Sequence, residues 1–187
     1  MTIEERLEKL EIELARMTAG IASREDVVNA KKFNLLDDNG KTRASLSATE
    51  LGTALTLRDE NNQPRASLSV TELETALTLR DENNQPRAKL ALSKNGPELA
   101  LCDENDKPRA RLAVSKDEMV LDLFDADGKP LVGLFLSKDG SGSGLLLRDK
   151  NHFRVMLSVS ELGTDLTLYD TNGKRIWQSR RWSLWDF

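Results

Sequence analysis

Aromatic and chemically reactive side chains are scarce in this 187-residue chain. Aromatic residues make up 5% of it, and it has a single cysteine, Cys102, and a single histidine, His152. One cysteine excludes an internal disulfide framework, and one cysteine with one histidine argues against a zinc site within one chain. So few aromatic residues over this length favour a thin, repeated core of Leu, Val and Ala over one large globular core.

An excess of basic charge is also lacking. Lys and Arg number 27 against 31 Asp and Glu, which gives a net charge of −4, so no general nucleic-acid-binding surface is predicted. We find no secretory signal and no apolar run long enough to span a membrane, and we expect no transmembrane segment in this chain. Bacterial cytoplasm, cell surface and virion all stay open as locations.

What the sequence does contain is a repeat of 22 residues. Ala54–Thr75 reads ALTLRDENNQPRASLSVTELET, and Ala76–Arg87 repeats its first twelve residues without a change. Apolar and polar residues alternate in both halves of the unit, as they do in half-buried strands. The turn formers Asn, Asn, Gln and Pro separate the halves. The unit is therefore predicted to be a β-hairpin whose apolar face includes Leu55, Leu57, Leu68 and Val70.

The loop between the two halves sets the expected register. A four-residue loop, Asn61–Pro64, would place Leu57 opposite Leu68. It would also place Glu60 opposite Arg65, which is a favourable cross-strand pair. Three other units carry Asn-Gly or Asp-Gly in the turn, the strongest short hairpin signals.

Seven such units follow one another between residues 33 and 176. Each is marked by the aspartate that opens its turn: Asp37, Asp59, Asp81, Asp103, Asp125, Asp149 and Asp170. Leu131 follows the turn in the fifth unit, whereas an arginine follows it in the other six: Arg43, Arg65, Arg87, Arg109, Arg154 and Arg175. Residues 1–22 are predicted to form a helix, 23–32 a connector and 177–187 a tryptophan-rich cap or tail.

A repeat of this length is also compatible with a β-solenoid. In a solenoid, equivalent residues stack directly, so Asp59, Asp81 and Asp103 would form a column at ~4.8 Å spacing. Like charges directly opposite one another are destabilising. An antiparallel meander places another strand between equivalent residues, and we therefore predict the meander.

A meander with one apolar face has to bury that face against another layer. Closing fourteen strands as a monomeric barrel would enclose a lumen too wide for these small side chains, because diameter grows with strand number. Three sheets with their apolar faces inward would enclose a filled core. The predicted fold class is mainly β: a hairpin-repeat meander forming a trimeric β-prism or fibre-like stalk, with a short N-terminal helical coiled coil.

The first 22 residues carry a heptad pattern. Thr2 and Glu5 form a predicted capping box, and the apolar residues then alternate in steps of four and three: Ile3, Leu7, Leu10, Leu14, Met17 and Ile21. We favour a short parallel coiled coil that aligns identical chains. An amphipathic helix that docks on the β-domain is the alternative.

The repeat resembles tandem repeats of the form D-x-x-G-K-x-R-A-x-L in uncharacterised bacterial proteins, which often follow a coiled coil. Its carrier here is residues 38–46, Asp-Asn-Gly-Lys-Thr-Arg-Ala-Ser-Leu, and the resemblance covers most of residues 33–176. By analogy, the architecture is also similar to trimeric fibre shafts of attachment proteins. Neither resemblance implies any binding residue.

No catalytic, metal or cofactor site is predicted. The run Asp125-Ala126-Asp127-Gly128 is similar to the start of a calcium loop, but no glutamate stands at the twelfth position that such a loop needs. Acidic residues at the turns recur with the repeat, as structural residues do. Two functions follow: a non-enzymatic homo-oligomeric stalk, or a binding module that recognises a glycan or protein partner.

The C-terminal stretch is the least repetitive part and contains all three tryptophans. These rings would either plug the open end of the prism or form a docking surface for a partner, because Trp and Arg are favoured in binding hot spots. The candidate partner-binding residues are Trp177, Arg181, Trp182, Trp185 and Phe187.

Overall fold

The structure, a computed structural model, describes residues 2–22 and 29–179. The chain divides into two units, residues 1–31 and residues 32–187. Arg181, Trp182, Trp185 and Phe187 lie outside the described residues.

The first unit contains one described helix, α1, Ile3–Ala22. The predicted capping box is confirmed: the Thr2 N–H donates to Glu5 Oε2 at 2.8 Å, and the Glu5 N–H donates to Thr2 Oγ1 at 3.3 Å. Ile3, Leu7, Leu10 and Leu14 of the heptad seam are exposed. Met17 and Ile21 belong to the helix, but their side chains lie outside the described part.

The second unit is one antiparallel sheet of fourteen strands in which each strand pairs with the strands before and after it in sequence. The predicted mainly-β hairpin meander is confirmed. The strands are β1 Lys32–Leu36, β2 Thr42–Thr49, β3 Gly52–Arg58, β4 Pro64–Val70, β5 Glu74–Arg80, β6 Pro86–Ser93, β7 Gly96–Cys102, β8 Pro108–Val114, β9 Glu118–Phe124, β10 Pro130–Ser137, β11 Gly142–Arg148, β12 Phe153–Ser160, β13 Gly163–Tyr169 and β14 Arg175–Gln178.

The hairpin turns have a common construction, seen in the second unit. The Asn62 N–H donates to the Asp59 carbonyl and the Asp59 N–H donates to the Gln63 carbonyl, both at 3.0 Å. Asp59 Oδ1 accepts the N–H groups of Asn61 and Gln63. Asn62 has a φ of 62°, a conformation that Asn and Gly adopt more readily than other residues. This is why other turns place Gly40, Gly128 and Gly173 there.

The predicted register within a hairpin is wrong by two residues. Leu57 lies opposite Ala66 and Leu55 lies opposite Leu68. Arg58 lies opposite Pro64, so Arg65 is an extra residue in its strand, a bulge that shifts the register by one. Arg65 pairs with Asp59 at 3.8 Å and not with Glu60. An error of two residues leaves every side chain on its predicted face, since the side-chain period of a strand is two.

Candidate functional site

The apolar face of the sheet is the largest candidate site, and a row of leucines runs along its middle. Every strand from β2 to β13 contributes one leucine, and each lies opposite the leucines of the neighbouring strands: Leu46, Leu55, Leu68, Leu77, Leu90, Leu99, Leu112, Leu121, Leu134, Leu145, Leu157 and Leu166. Phe33 of β1 extends the row at one end. We call this set the central row.

Two further rows flank the central row. The turn row lies towards the hairpin turns and consists of Leu35, Ala44, Leu57, Ala66, Leu79, Ala88, Leu101, Ala110, Leu123, Val132, Leu147, Val155, Leu168 and Trp177. The return row lies towards the connections between hairpins and consists of Ala48, Thr53, Val70, Thr75, Leu92, Pro97, Val114, Met119, Leu136, Ser143, Val159 and Thr164. The predicted oligomerisation residues Leu55, Leu57, Leu68 and Val70 share this surface.

In the single chain, the apolar face of the sheet is more exposed to solvent than the polar face. Leu68 of the central row is 47% exposed, and most of its counterparts are similarly exposed. The described residues with the least exposure lie on the opposite, polar face: Ala76 at 2%, Thr167 at 6% and Thr78 at 9%. Fourteen strands of about seven residues give a face of roughly 1,400 Å², several times the usual largest apolar patch of a monomer. A face of this size is a candidate interaction surface.

Leucines at the return connections add to the exposed apolar surface. Leu51, Leu73 and Leu162 occupy equivalent connections and are 83%, 82% and 69% exposed. These connections were not singled out in the sequence analysis. Their apolar residue was visible in the recurring Thr/Ser-Glu-Leu pattern, which places a leucine where a turn needs none.

Trp177 is the one predicted partner-binding residue among the described residues. It lies in β14 opposite Leu168 and ends the turn row, and its side chain is 50% exposed. The structure therefore joins it to the apolar face.

The polar face carries a column of aspartate–arginine pairs beside the hairpin turns. Five units hold the pair: Arg43–Asp37, Arg65–Asp59, Arg87–Asp81, Arg109–Asp103 and Arg154–Asp149, at separations between 2.6 and 3.8 Å. Two of the arginines also reach the next hairpin, since Arg87 Nε donates to the Cys102 carbonyl and Arg109 Nε to the Phe124 carbonyl. The column therefore connects consecutive units.

The seventh unit departs from this column. Arg175 lies opposite Tyr169, the position that Pro64 occupies opposite Arg58 in the second unit. It is one residue too early to meet Asp170, and its guanidinium donates to Gln178 Oε1 instead. Arg175 therefore follows its turn, as the sequence analysis stated, but it does not take the position of the other five arginines.

The fifth unit lacks the aspartate–arginine pair, because Leu131 stands in the position of the arginine. It therefore allows the contribution of the pair to stability to be measured. Asp125 Oδ2 is shielded from solvent and has no hydrogen-bond partner. We expect Leu131→Arg to supply that partner and to raise Tm by roughly 1–2 °C, the small gain typical of a partly exposed ion pair. Thermal melts at equal concentration measure it. The mirror variant Arg109→Leu should lower Tm by a similar amount, and a lower Tm in both variants would contradict the expectation.

Stability should also depend on pH through these aspartates. Hydrogen bonds from the backbone N–H groups of His152 and Asn151, with Arg154 beside them, lower the pKa of Asp149 from 3.8 to about 2. A pKa that is lower in the folded state stabilises the fold above the unfolded pKa, and this contribution is lost as the pH falls through the folded pKa. Backbone hydrogen bonds also lower the pKa of Asp81, Asp103 and Asp125.

We therefore expect the urea midpoint to fall between about pH 4 and pH 2. Asp149→Asn keeps a side-chain oxygen that can accept both backbone bonds but cannot titrate. Its midpoint should fall less steeply over the same interval than that of the natural chain. Equal slopes for the two proteins would show that Asp149 does not contribute.

Metal and nucleophile chemistry finds little support at the remaining candidate residues. Within residues 2–22 and 29–179, no three His, Cys, Asp or Glu side chains are grouped to hold a metal ion. Asp125 Oδ1 accepts the N–H groups of Asp127 and Lys129, so the calcium-like run forms an ordinary turn of this array. Burial raises the pKa of the Cys102 thiol, which reduces its reactivity at neutral pH.

A groove on the polar face is the second candidate site. It has a volume of about 430 Å³ and lies over the small side chains of β6 to β8, among them Ala91 and Ala113. Lys89 pairs with Glu74 at 2.8 Å and Arg111 with Asp122 at 2.7 Å. Glu98 and Glu118 also line the groove. Charged groups of both signs around small side chains could contact a polar ligand such as a sugar.

From β9 to β12 the polar face becomes partly apolar. Val120, Phe135, Leu146 and Met156 lie on it, half-buried. The Phe135 ring lies so close to Gly144 that a Cβ there would come within 2.5 Å of it. The polar face is therefore less regular than the sequence analysis assumed.

Comparisons with known proteins give no identification. No family model matches the chain, and no curated protein matches it. Among solved structures, a crystal structure of a mutant of S. aureus TarM, in complex with Fondaparinux, alpha-GlcNAc-glycerol and UDP, aligns with 88% of this chain and 23% of its own. The identity is 8% and the TM-score is 0.26, which does not indicate a shared fold. No described helix is long and apolar enough to cross a membrane.

Proposed function

We propose that this protein is a non-enzymatic structural stalk in which three copies of the chain bury their apolar faces against one another. The observation that carries the proposal is the exposed central row with its two flanking rows. A chain in water gains from covering such a face, because the burial of apolar surface is favourable. A second copy has the same length and the same rows, so it covers the face from end to end.

Three copies fit the dimensions of the sheet. Seven residues give each sheet a width of about 23 Å, and in a triangle of that side the centre of each face lies about 7 Å from the axis. Leucines of the central row would meet there, layer by layer. The helix pattern also argues against two copies, since Leu7 and Leu14 fall at heptad position a and Ile3 at d, a combination that disfavours a two-stranded coiled coil.

The mass in solution tests the proposal. Light scattering at micromolar concentration should give three times the chain mass of 20.9 kDa, and a monomeric mass would overturn the proposal. A chain without residues 1–22 should still form trimers at tens of micromolar. On dilution it should dissociate at a higher concentration than the full chain, because the coiled coil raises the effective concentration of the sheets. Equal dissociation would assign the helix another role.

The groove on the polar face favours a second candidate function, a binding module. In the proposed trimer the apolar faces point inward, which leaves the Lys89–Glu74 and Arg111–Asp122 pairs on the outer surface. Sugars suit such a surface because they are recognised through several hydrogen bonds to charged and amide groups. A glycan array probed with the intact oligomer tests this function. Binding should be lost in Arg111→Ala, and no binding above background would leave a passive spacer.

A further inference from the structure

We infer that the copies meet strand by strand: the turn row of each sheet packs against the return row of the same strand in the next copy. This inference rests on the proposed stalk and goes beyond it by naming the register and the residues in contact. Its basis is the size of the side chains in the two flanking rows.

Large and small residues alternate along both flanking rows, in opposite phase. Odd-numbered strands carry a leucine in the turn row and a smaller residue in the return row, as in β3 with Leu57 and Thr53. Even-numbered strands carry the reverse, as in β4 with Ala66 and Val70. The pattern continues through Leu79 and Thr75 in β5, Ala88 and Leu92 in β6, Leu101 and Pro97 in β7, Ala110 and Val114 in β8, Val132 and Leu136 in β10, Leu147 and Ser143 in β11, and Leu168 and Thr164 in β13.

Three strands depart from the alternation and one follows it weakly. The even-numbered β14 carries a large residue, Trp177, in the turn row. β2 has alanine in both rows, at 44 and 48, and β9 has two large residues, Leu123 and Met119. β12 has valine in both rows, at 155 and 159. Methionine is unbranched and adapts to irregular spaces, which makes β9 the easier departure to accommodate.

The alternation fits a rotational assembly about an axis parallel to the direction in which the strands stack. In such an assembly the hairpin-turn edge of one sheet meets the return edge of the next sheet in the same layer. Leu57 then faces Thr53 of the next copy, and Ala66 faces its Val70. Each corner layer holds one large and one small side chain, which keeps the packed volume even and avoids both voids and overlap.

Exposed leucines at the return connections agree with this arrangement. The exposed leucines Leu51, Leu73 and Leu162 stand on the return edge, which lies beside the turn edge of the next copy. A parallel coiled coil ahead of β1 in every chain would also bring the β1 ends together, as the assembly requires.

An antiparallel pair of sheets is the competing arrangement. Rotation about the strand direction would place β3 over β12 and turn row over turn row, so Leu57 would face Val155. A second competitor is slippage by one repeat unit, because strands with near-identical sequences specify their register weakly. Thr53 would then face Leu79 of the next copy.

Disulfide cross-linking separates the three arrangements, in chains that carry Cys102→Ala to remove the native thiol. Thr53→Cys with Leu57→Cys tests the inferred contact. These positions lie four residues apart on one strand, ~13 Å, which is too far for a disulfide within one chain. After oxidation, we expect a covalent trimer on a non-reducing gel, and Thr53→Cys or Leu57→Cys alone should give none.

Two further double variants serve as matched controls. Leu57→Cys with Val155→Cys would cross-link the antiparallel pair, and Thr53→Cys with Leu79→Cys would cross-link slipped copies. Covalent product from either of these, with none from positions 53 and 57, overturns the inferred register. If the mass by light scattering stays trimeric in that case, the proposed stalk stands. A monomeric mass before oxidation overturns the stalk itself.

Discussion

Leu68→Lys is expected to convert the proposed trimer into monomers, with at least a thousandfold rise in the concentration needed for assembly. Leu68 is 47% exposed in the single chain, so a lysine there costs the isolated sheet little. At the axis of a trimer the same change would bring three ammonium groups together in an apolar core. Each buried charge costs several kcal/mol without an opposite charge beside it.

Ser67→Lys is the matched control for this prediction. Ser67 precedes Leu68 and lies on the polar face, and the next unit carries Lys89 at the equivalent position. This variant should assemble like the natural chain. Sedimentation velocity over a concentration series measures both variants. If Leu68→Lys assembles as well as Ser67→Lys, the apolar face is not the interface.

Gly96→Ala is expected to be the most destabilising substitution at a connection between hairpins. Gly96 has a φ of +112°, and a Cβ there would lie 1.9 Å from the Val114 carbonyl oxygen. The overlapping atom belongs to the backbone of β8 and cannot rotate away. We expect a loss of at least ~3 kcal/mol in the free energy of unfolding, from backbone strain and a displaced strand together.

Gly128→Ala separates these two causes. Gly128 also has a positive φ, +80°, but nothing lies within 4 Å of a Cβ placed on it. It should lose about 1 kcal/mol, the cost of the backbone conformation alone. Urea unfolding at one protein concentration compares the two, since the stability of an oligomer depends on concentration. Similar losses would show that the β7–β8 contact relaxes around the new methyl group.

Much of the fold could be predicted because the same alternation of apolar and polar residues and the same turn residues recur in successive units. Alternation assigned Leu55, Leu57 and Leu68 to one face, and that assignment holds even though the register was wrong by two residues. The register depended on how many residues the turn takes up. The bulge at Arg65 depends on the backbone geometry of the turn, and the residue types Asn-Asn-Gln-Pro do not determine that geometry.

The candidate site was harder to predict where it departs from the repeat. The groove between Lys89 and Arg111 arises because Ala91 and Ala113 leave space beneath longer neighbours, a result of three-dimensional placement. The missing partner of Asp125 Oδ2 could be anticipated from the sequence, because Leu131 stands where other units have the arginine that pairs with the turn aspartate. The opposite alternation of large and small residues in the two flanking rows could not be predicted without the observed register. A register shifted by two residues places different side chains opposite one another, and so assigns different residues to each row.

The near-identity of adjacent hairpins has a consequence for how such a chain can change over time. Thr53–Ala66 and Thr75–Ala88 are the same fourteen residues, and each strand pairs only with the strands on either side of it. A gene with such tandem copies can gain or lose 22 codons by unequal recombination, and the new junction reproduces contacts that already exist. Each event would lengthen or shorten the sheet by two strands, ~10 Å. The length of the sheet is then an inherited property that changes in steps of two strands. The contacts between neighbouring strands stay the same at every length.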